Sequence, residues 1–238
     1  MRVAIHQPHY LPWLGYLDKV DAAEVFILLD TVQYVKSEWQ NRNRILTAQG
    51  PQWLTVPVIE HAAQRIDTVQ IASAPWQKKH ATTLKQTYGK HPYWEPLGPA
   101  FLALLATRWT HLADLDMGVL NLLCRTFGIT TPRLRASSFT ILRQNPTERL
   151  IDLCRVVGGK TYLSGQAGPG YMDLAKLDEA GIGVEVQAYQ HPVYRQPREP
   201  FVPYLAALDL WSNCGPESLT ILRSGRHYTP AVPRGLEN

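Results

Sequence analysis

Apolar and polar positions alternate along the first thirty residues in a way that predicts strand, loop, helix and strand in close succession. Residues 3–5 form a short apolar run. A loop of proline, histidine and aromatic residues follows over 6–13, where Pro8 and Pro12 forbid a helix. Leu14, Leu17, Val20 and Ala23 then recur at helical spacing. Residues 24–30 are apolar between polar ends, the pattern of a strand covered on both faces. Together they predict a βαβ unit with a parallel pair. Residues 31–44 are polar and aromatic and read as a loop, with two further strands at 53–57 and 68–71.

Residues 75–90 carry proline near the start and Gly89 near the end, the punctuation of a helix. Residues 95–127 are mainly helical, with a break at Trp109-Thr110. A second α/β stretch begins with a strand at 133–137. Asn145 caps the next helix, Pro146 enters its first turn, and Gly158-Gly159 ends it. Strands at 161–163 and 183–187 flank a loop at 164–170 and a helix at 171–180. Helices near 204–210 and 216–223 close the chain, and the polar tail after Arg226 reads as partly loose. The expected fold is a single three-layer α/β domain over residues 1–238, its mainly parallel sheet covered by helices on both faces. Its α/β halves span about 1–71 and 131–190, with a helical section over about 75–128 between them.

Composition narrows the function classes. A chain of 238 residues buries roughly 70% of its unfolded surface and needs no disulfide or metal to hold together. Cys124, Cys154 and Cys214 are scattered without CxxC spacing, which fits a reducing, cytoplasmic setting. Neither a secretory leader nor a membrane-spanning run is expected. The net charge of +4 is dispersed, and its longest basic run is Lys78-Lys79, so no nucleic-acid surface is predicted.

Ligands of open parallel sheets bind beyond the carboxyl ends of strands, where strand order reverses. His6, Gln7, His9 and Tyr10 follow the first predicted strand, Asp30, Gln33 and Tyr34 the second, and Ser164, Gly165 and Gln166 a later one. His6 and His9 fit general acid–base or substrate hydrogen-bonding roles, or equally loop bridging, and Asp30 would orient a histidine or hold an amine unless it caps its own turn. Metal ligation by the two histidines and Asp30 lacks a helix to orient it, so no metal and no cofactor are expected. In the segment Trp39-Gln40-Asn41-Arg42-Asn43-Arg44, Arg42 and Arg44 offer planar forks to an anion and Trp39 a stacking face, with a solvated hairpin as the plainer alternative. Ser164 lacks a GxSxG elbow, and its loop matches neither the P-loop nor the dinucleotide fingerprint.

The string His6-Gln7-Pro8-His9-Tyr10-Leu11-Pro12-Trp13-Leu14-Gly15-Tyr16, with Asp30, Val32-Gln33-Tyr34, Trp39 and Asn41-Arg42-Asn43-Arg44, resembles the opening of the WbqC-like family. Tyr162-Leu163-Ser164-Gly165, Tyr194-Arg195-Gln196, Leu208-Asp209 and Asn213-Cys214-Gly215 extend the resemblance over nearly the whole chain. Ala206 departs from a serine frequent in that family. The resemblance implies a bacterial enzyme of surface-polysaccharide or specialised-metabolite biosynthesis that moves an acyl or aminoacyl group to an amine. In that reading His6, His9 and Asp30 are catalytic. Gln7, Tyr10, Gln33, Trp39, Asn41, Arg42, Arg44, Ser164, Gly165, Tyr194 and Gln196 bind a small-molecule substrate, and an acidic acyl or aminoacyl carrier protein is a candidate donor. Nucleotidyl or adenylyl transfer, and a non-catalytic binding module of a biosynthetic complex, are the alternatives.

Overall fold

The first two apolar runs pair as neighbours, β1 (Arg2–His6) and β2 (Val25–Leu28), parallel and in register Val3 to Val25 through His6 to Leu28. The computed structural model describes residues 1–95, 97–140 and 143–231. The helix that joins this pair is α1 (Leu14–Ala22). A two-stranded antiparallel hairpin follows, β3 (Arg42–Thr47) and β4 (Gly50–Thr55), and then the short pair β5 (Val58–Ile59) and β6 (Gln70–Ile71). Helices α2 (Trp76–Tyr88), α3 (Leu97–Ala106) and α4 (Leu112–Phe127) occupy the middle, broken around Trp109-Thr110 as the pattern predicts.

The chain then returns to the sheet through β7 (Arg133–Arg135), α5 (Pro146–Val156), β8 (Thr161–Ser164), α6 (Leu174–Glu179) and β9 (Gly183–Gln187). Asn145 caps α5 by accepting from the amides of Thr147 and Glu148. It ends with α7 (Leu208–Cys214), α8 (Ser218–Ser224) and β10 (Tyr228–Ala231). Among the described residues the main sheet has six strands in the order β10-β9-β8-β1-β2-β7, all parallel except β10.

Alternation along the strands builds two cores. Ala4, Phe26, Leu28 and Leu163 face one side, with Leu14, Leu17 and Val20 of α1 and the middle and C-terminal helices. Val3, Ile5, Ile27, Tyr162 and Val184 face the other, against Leu150, Ile151 and Leu153 of α5 and Leu177 of α6. The expected α/β fold, with a mostly parallel sheet and helices on both faces, is what these residues make.

Four local expectations are corrected. Residues 31–44 are not all loop, because Arg42–Thr47 pairs with Gly50–Thr55. The strand expected at 68–71 is a 3-10 turn, Ile66–Thr68, followed by the two residues of β6. The helix expected at 204–210 starts four residues later, at Leu208. The tail after Arg226 contributes the edge strand β10, which is pinned by Tyr228 Oη donating to Asp18 at 3.0 Å; residues 232–238 lie outside the described chain.

Candidate functional site

Strand β1 has β2 on one side and β8 on the other, and the chain reaches β8 only after returning from β7 at the far edge. Strand order therefore reverses between β1 and β8, the position where open α/β sheets hold ligands. Two cavities open there beyond the carboxyl ends, of about 430 and about 300 Å³. His6, Gly165 and Ala167 line both, so the end of β1 and the loop after β8 form the wall between them.

The larger cavity is walled by apolar groups such as Leu29, Val32 and Leu150, with His6, Gln7, Arg149, Tyr162 and Tyr171 as its polar members. The smaller is more polar and aromatic, lined by Trp13 before α1, Tyr16 and Lys19 within it, Gln187 at the end of β9, Tyr189 beyond it, and Tyr204. The Trp13 ring lies across Gly15 so closely that a Cβ there would sit 2.2 Å from it, which explains the glycine between Leu14 and Tyr16.

His6, His9 and Tyr16 form a compact aromatic cluster with ring centroids 4.8–4.9 Å apart. His6 Nδ1 lies 3.1 Å from the Gln7 carbonyl. A carbonyl can only accept, so Nδ1 carries the proton and Nε2 keeps its lone pair. Burial first, then the Lys19 cation and His9, holds the His6 pKa well below the ordinary imidazole value. The same burial and the same lysine push His9 down to about 3. Both rings are therefore neutral at neutral pH. Lys19 is 2% exposed, and burial lowers its ammonium to about 8 against the opposing pull of Asp18.

The motif loop is held in place by Gln40 and Asn43 together with Gln7, Tyr10, Trp39 and Asn41, four residues that the sequence marked as substrate contacts. Gln40 Nε2 donates to Gln7 Oε1 at 2.7 Å, and the Tyr10 amide donates to the Trp39 carbonyl at 3.1 Å. Tyr10 is fully buried with its hydroxyl 2.9 Å from His80 Nδ1, Asn41 donates to the Val56 carbonyl, and Asn43 donates to the Leu11 carbonyl. Gln33 is exposed and bridges to Arg65.

Of the predicted site residues, His6, Gln7 and Gly165 line a cavity, and His9 packs on His6. Asp30 does not orient a histidine. Its buried carboxylate accepts from Arg135 Nε at 2.7 Å and from the amide and hydroxyl of Ser137 at 2.9 and 2.7 Å, tying β2 to the turn after β7. Arg42 and Arg44 lie over Trp53, at 4.4 and 5.7 Å from its ring centroid, and Trp39 packs on the same indole at 5.5 Å; none of the four lines either cavity. Ser164 is fully buried and donates to the Gly165 carbonyl at 3.0 Å. Tyr194 and Gln196 turn instead to Asp209 in the core.

Tyr189 follows a predicted strand and is marked by its position, whereas Lys19, Arg149, Gln187 and Tyr204 are among the wall residues that the sequence left unmarked as a site. The available signal was weak. Lys19 sits in a helix whose apolar face was legible, but nothing in the pattern shows that α8 and β10 bury the other face too. Among the described residues, no group of three or more His, Cys, Asp or Glu side chains is placed to hold a metal ion, and no helix is long and apolar enough to cross a membrane.

The sheet and its divided crevice define an α/β protein with a two-chambered cavity at the point of strand-order reversal. The chain belongs to the WbqC-like protein family, whose model matches residues 7–221. It is similar to the uncharacterized protein Rv1507c of Mycobacterium tuberculosis (strain ATCC 25618 / H37Rv), with 36% identity over 226 residues, 93% of this chain and 97% of that one. No solved structure matches it.

Proposed function

We propose that the protein is a group transferase that moves an acyl or aminoacyl group to the amine of a small acceptor, such as an amino sugar. One observation carries this reading: a single histidine, His6, stands in the wall between two chambers with different linings, the larger more apolar and the smaller more polar and aromatic. The larger, apolar chamber suits the acyl donor, with Arg149 available to an anionic donor group. The smaller chamber suits the acceptor, because Trp13, Tyr189 and Tyr204 offer stacking faces and Gln187 and Lys19 polar ones.

In this scheme the acceptor amine attacks the donor carbonyl carbon across the wall. His6 Nε2 takes the proton that the nitrogen loses, the bond between carbonyl and leaving group breaks, and His6 returns the proton to the leaving group. Gly165 lines both chambers with His6, and its amide is the donor assigned to the developing oxyanion in this scheme. His9 and Tyr16 hold the His6 ring by packing, and Gln7 supplies the carbonyl that fixes its tautomer.

The test is amide formation from acyl and aminoacyl thioesters with 2-amino-2-deoxyglucose and with its 6-phosphate as acceptors, read by mass spectrometry. His6→Gln should lower the rate by about 10²–10⁴ while the melting temperature changes little. An unchanged rate in His6→Gln, or no amide from any thioester, would overturn the reading. Turnover that requires a nucleoside triphosphate and Mg²⁺ would replace it with nucleotidyl transfer.

A further inference from the structure

Lys19 is a buried cation on α1 that has no hydrogen-bond or ion-pair partner among the described residues, and Asp18 acts on it only through its field. Asp18 and Asp21 lie beside it on the same helix, but both are engaged by other groups. Asp18 takes Arg226 Nε at 2.7 Å, Gln187 Nε2 at 2.9 Å and Tyr228 Oη at 3.0 Å. Asp21 takes Arg223 at 2.8 and 2.9 Å and also pairs with Arg226. Two carboxylates therefore meet two arginines, and Lys19 makes no hydrogen bond or ion pair with another described residue.

Its other charged or titratable neighbours are His6 and His9, both neutral at neutral pH and both made less basic by this cation. The lysine is 2% exposed, yet it lines the smaller cavity, and its ammonium approaches the loop after β8 so closely that a Cβ on Gly165 would sit 3.2 Å from Nζ. A buried cation without a partner is unfavourable unless something supplies the opposite charge. The cavity is the one direction left for it.

We propose that the smaller chamber binds a small anionic group, carboxylate or phosphate, carried on a ring that stacks against its aromatic wall, and that Lys19 is the counter-ion. The substrate class of the acceptor is thereby narrowed from any small amine to one bearing negative charge. This rests on the reading of that chamber as the acceptor site. The charge of such a ligand also offsets the field of Lys19 on His6, so the occupied site holds a more basic imidazole than the empty one. Acceptor binding and proton transfer are then linked through one side chain.

The experiment uses the full chain with glucuronate, glucose 6-phosphate and neutral glucose, followed by thermal shift and calorimetric titration. At least one of the two anions should raise the melting temperature and bind tenfold or more tightly than glucose, and the comparison of the two shows which anion the chamber prefers. Lys19→Met should raise the ligand-free melting temperature, because it removes an unpaired buried charge, and should abolish the anion-induced shift. A purely structural lysine predicts the opposite on both counts. If Lys19→Met fails to fold, Gly165→Ala, which crowds the ammonium without altering its charge, should weaken the anion at least several-fold. Equal binding of glucose and the anions, no binding of either anion, an anion shift that survives Lys19→Met, or anion affinity undiminished in Gly165→Ala would overturn the proposal. Turnover is read separately: anion binding without amide formation keeps the anion site and removes the transferase, while amide formation only on neutral acceptors does the reverse.

Discussion

Asp209, in the Leu208-Asp209 segment of the family resemblance, and Lys19, on α1 just beyond its opening string, are both buried charges, and they are surrounded in opposite ways. Asp209, fully buried at the start of α7, accepts from Tyr88 Oη and Tyr194 Oη at 2.8 Å each and from Gln196 Nε2 at 3.3 Å. Asn213 donates to its backbone carbonyl at 2.8 Å. Gln196 is itself locked by giving to and taking from Val202 at 3.0 and 2.9 Å. This network joins α2, the segment before α7 and α7 itself, and its partners are used up. Around Lys19 the partners are withheld. The difference separates buried charges that hold the chain from those that face a ligand, a distinction that residue type alone does not make.

Removing the acid from the satisfied centre should have the largest effect. Asp209→Ala leaves the buried hydroxyls of Tyr88 and Tyr194 without their acceptor and takes one of its acceptors from the Gln196 amide, and should lower stability by about 3–5 kcal/mol in urea unfolding. A loss below about 1 kcal/mol would mean that the two centres do not differ as described. The unsatisfied centre should show itself through pH. The His9 pKa is about 3 in the fold and near 6.5 unfolded, so the unfolded chain binds more protons between those values. Stability from this group is full above about pH 6.5 and is lost as pH falls toward 3. From pH 7 to pH 5 its share of the loss is about 2 kcal/mol, and His9→Gln should flatten the profile by that amount. The smallest effect belongs to the hairpin. Arg42→Lys weakens the stacking on Trp53 and should cost less than about 1 kcal/mol, with no change in the binding of glucuronate or glucose 6-phosphate. A loss of anion binding in that variant would move the anion site from the crevice to the hairpin.

Much of the sheet could be read from the chain because its central strands are continuous apolar runs with glycines or prolines at the helix ends. Residues 24–30 and 161–163 need covered faces wherever they are placed. The β3–β4 hairpin was not readable in that way. Its inward positions include Asn43, a polar residue buried only because the Leu11 carbonyl needs its donor. His6 ends β1 and Gly165 follows its neighbour β8, so these two residues, both placed after strands by the apolar pattern, line the crevice together. Its occupants were harder to foresee. Asp30 looks catalytic by position, and only the distant Arg135 and Ser137 reveal its structural use. Lys19 looks like a solvated helix residue until Arg226 and Tyr228, over two hundred positions later, close over the same helix. Non-local packing decides both cases, and no window along the sequence contains it.

The two borders of the main sheet bear on how the protein behaves when crowded with copies of itself. At one end β7 offers only three residues, with Arg133 and Arg135 on either side of Leu134. At the other, β10 places Pro230 opposite Glu185, and a proline has no N–H to give to an incoming strand. A sheet grows edge to edge only where a run of free donors and acceptors meets another. Both borders interrupt that run, so the lattice of parallel strands that supports the crevice is closed to further strands at each end.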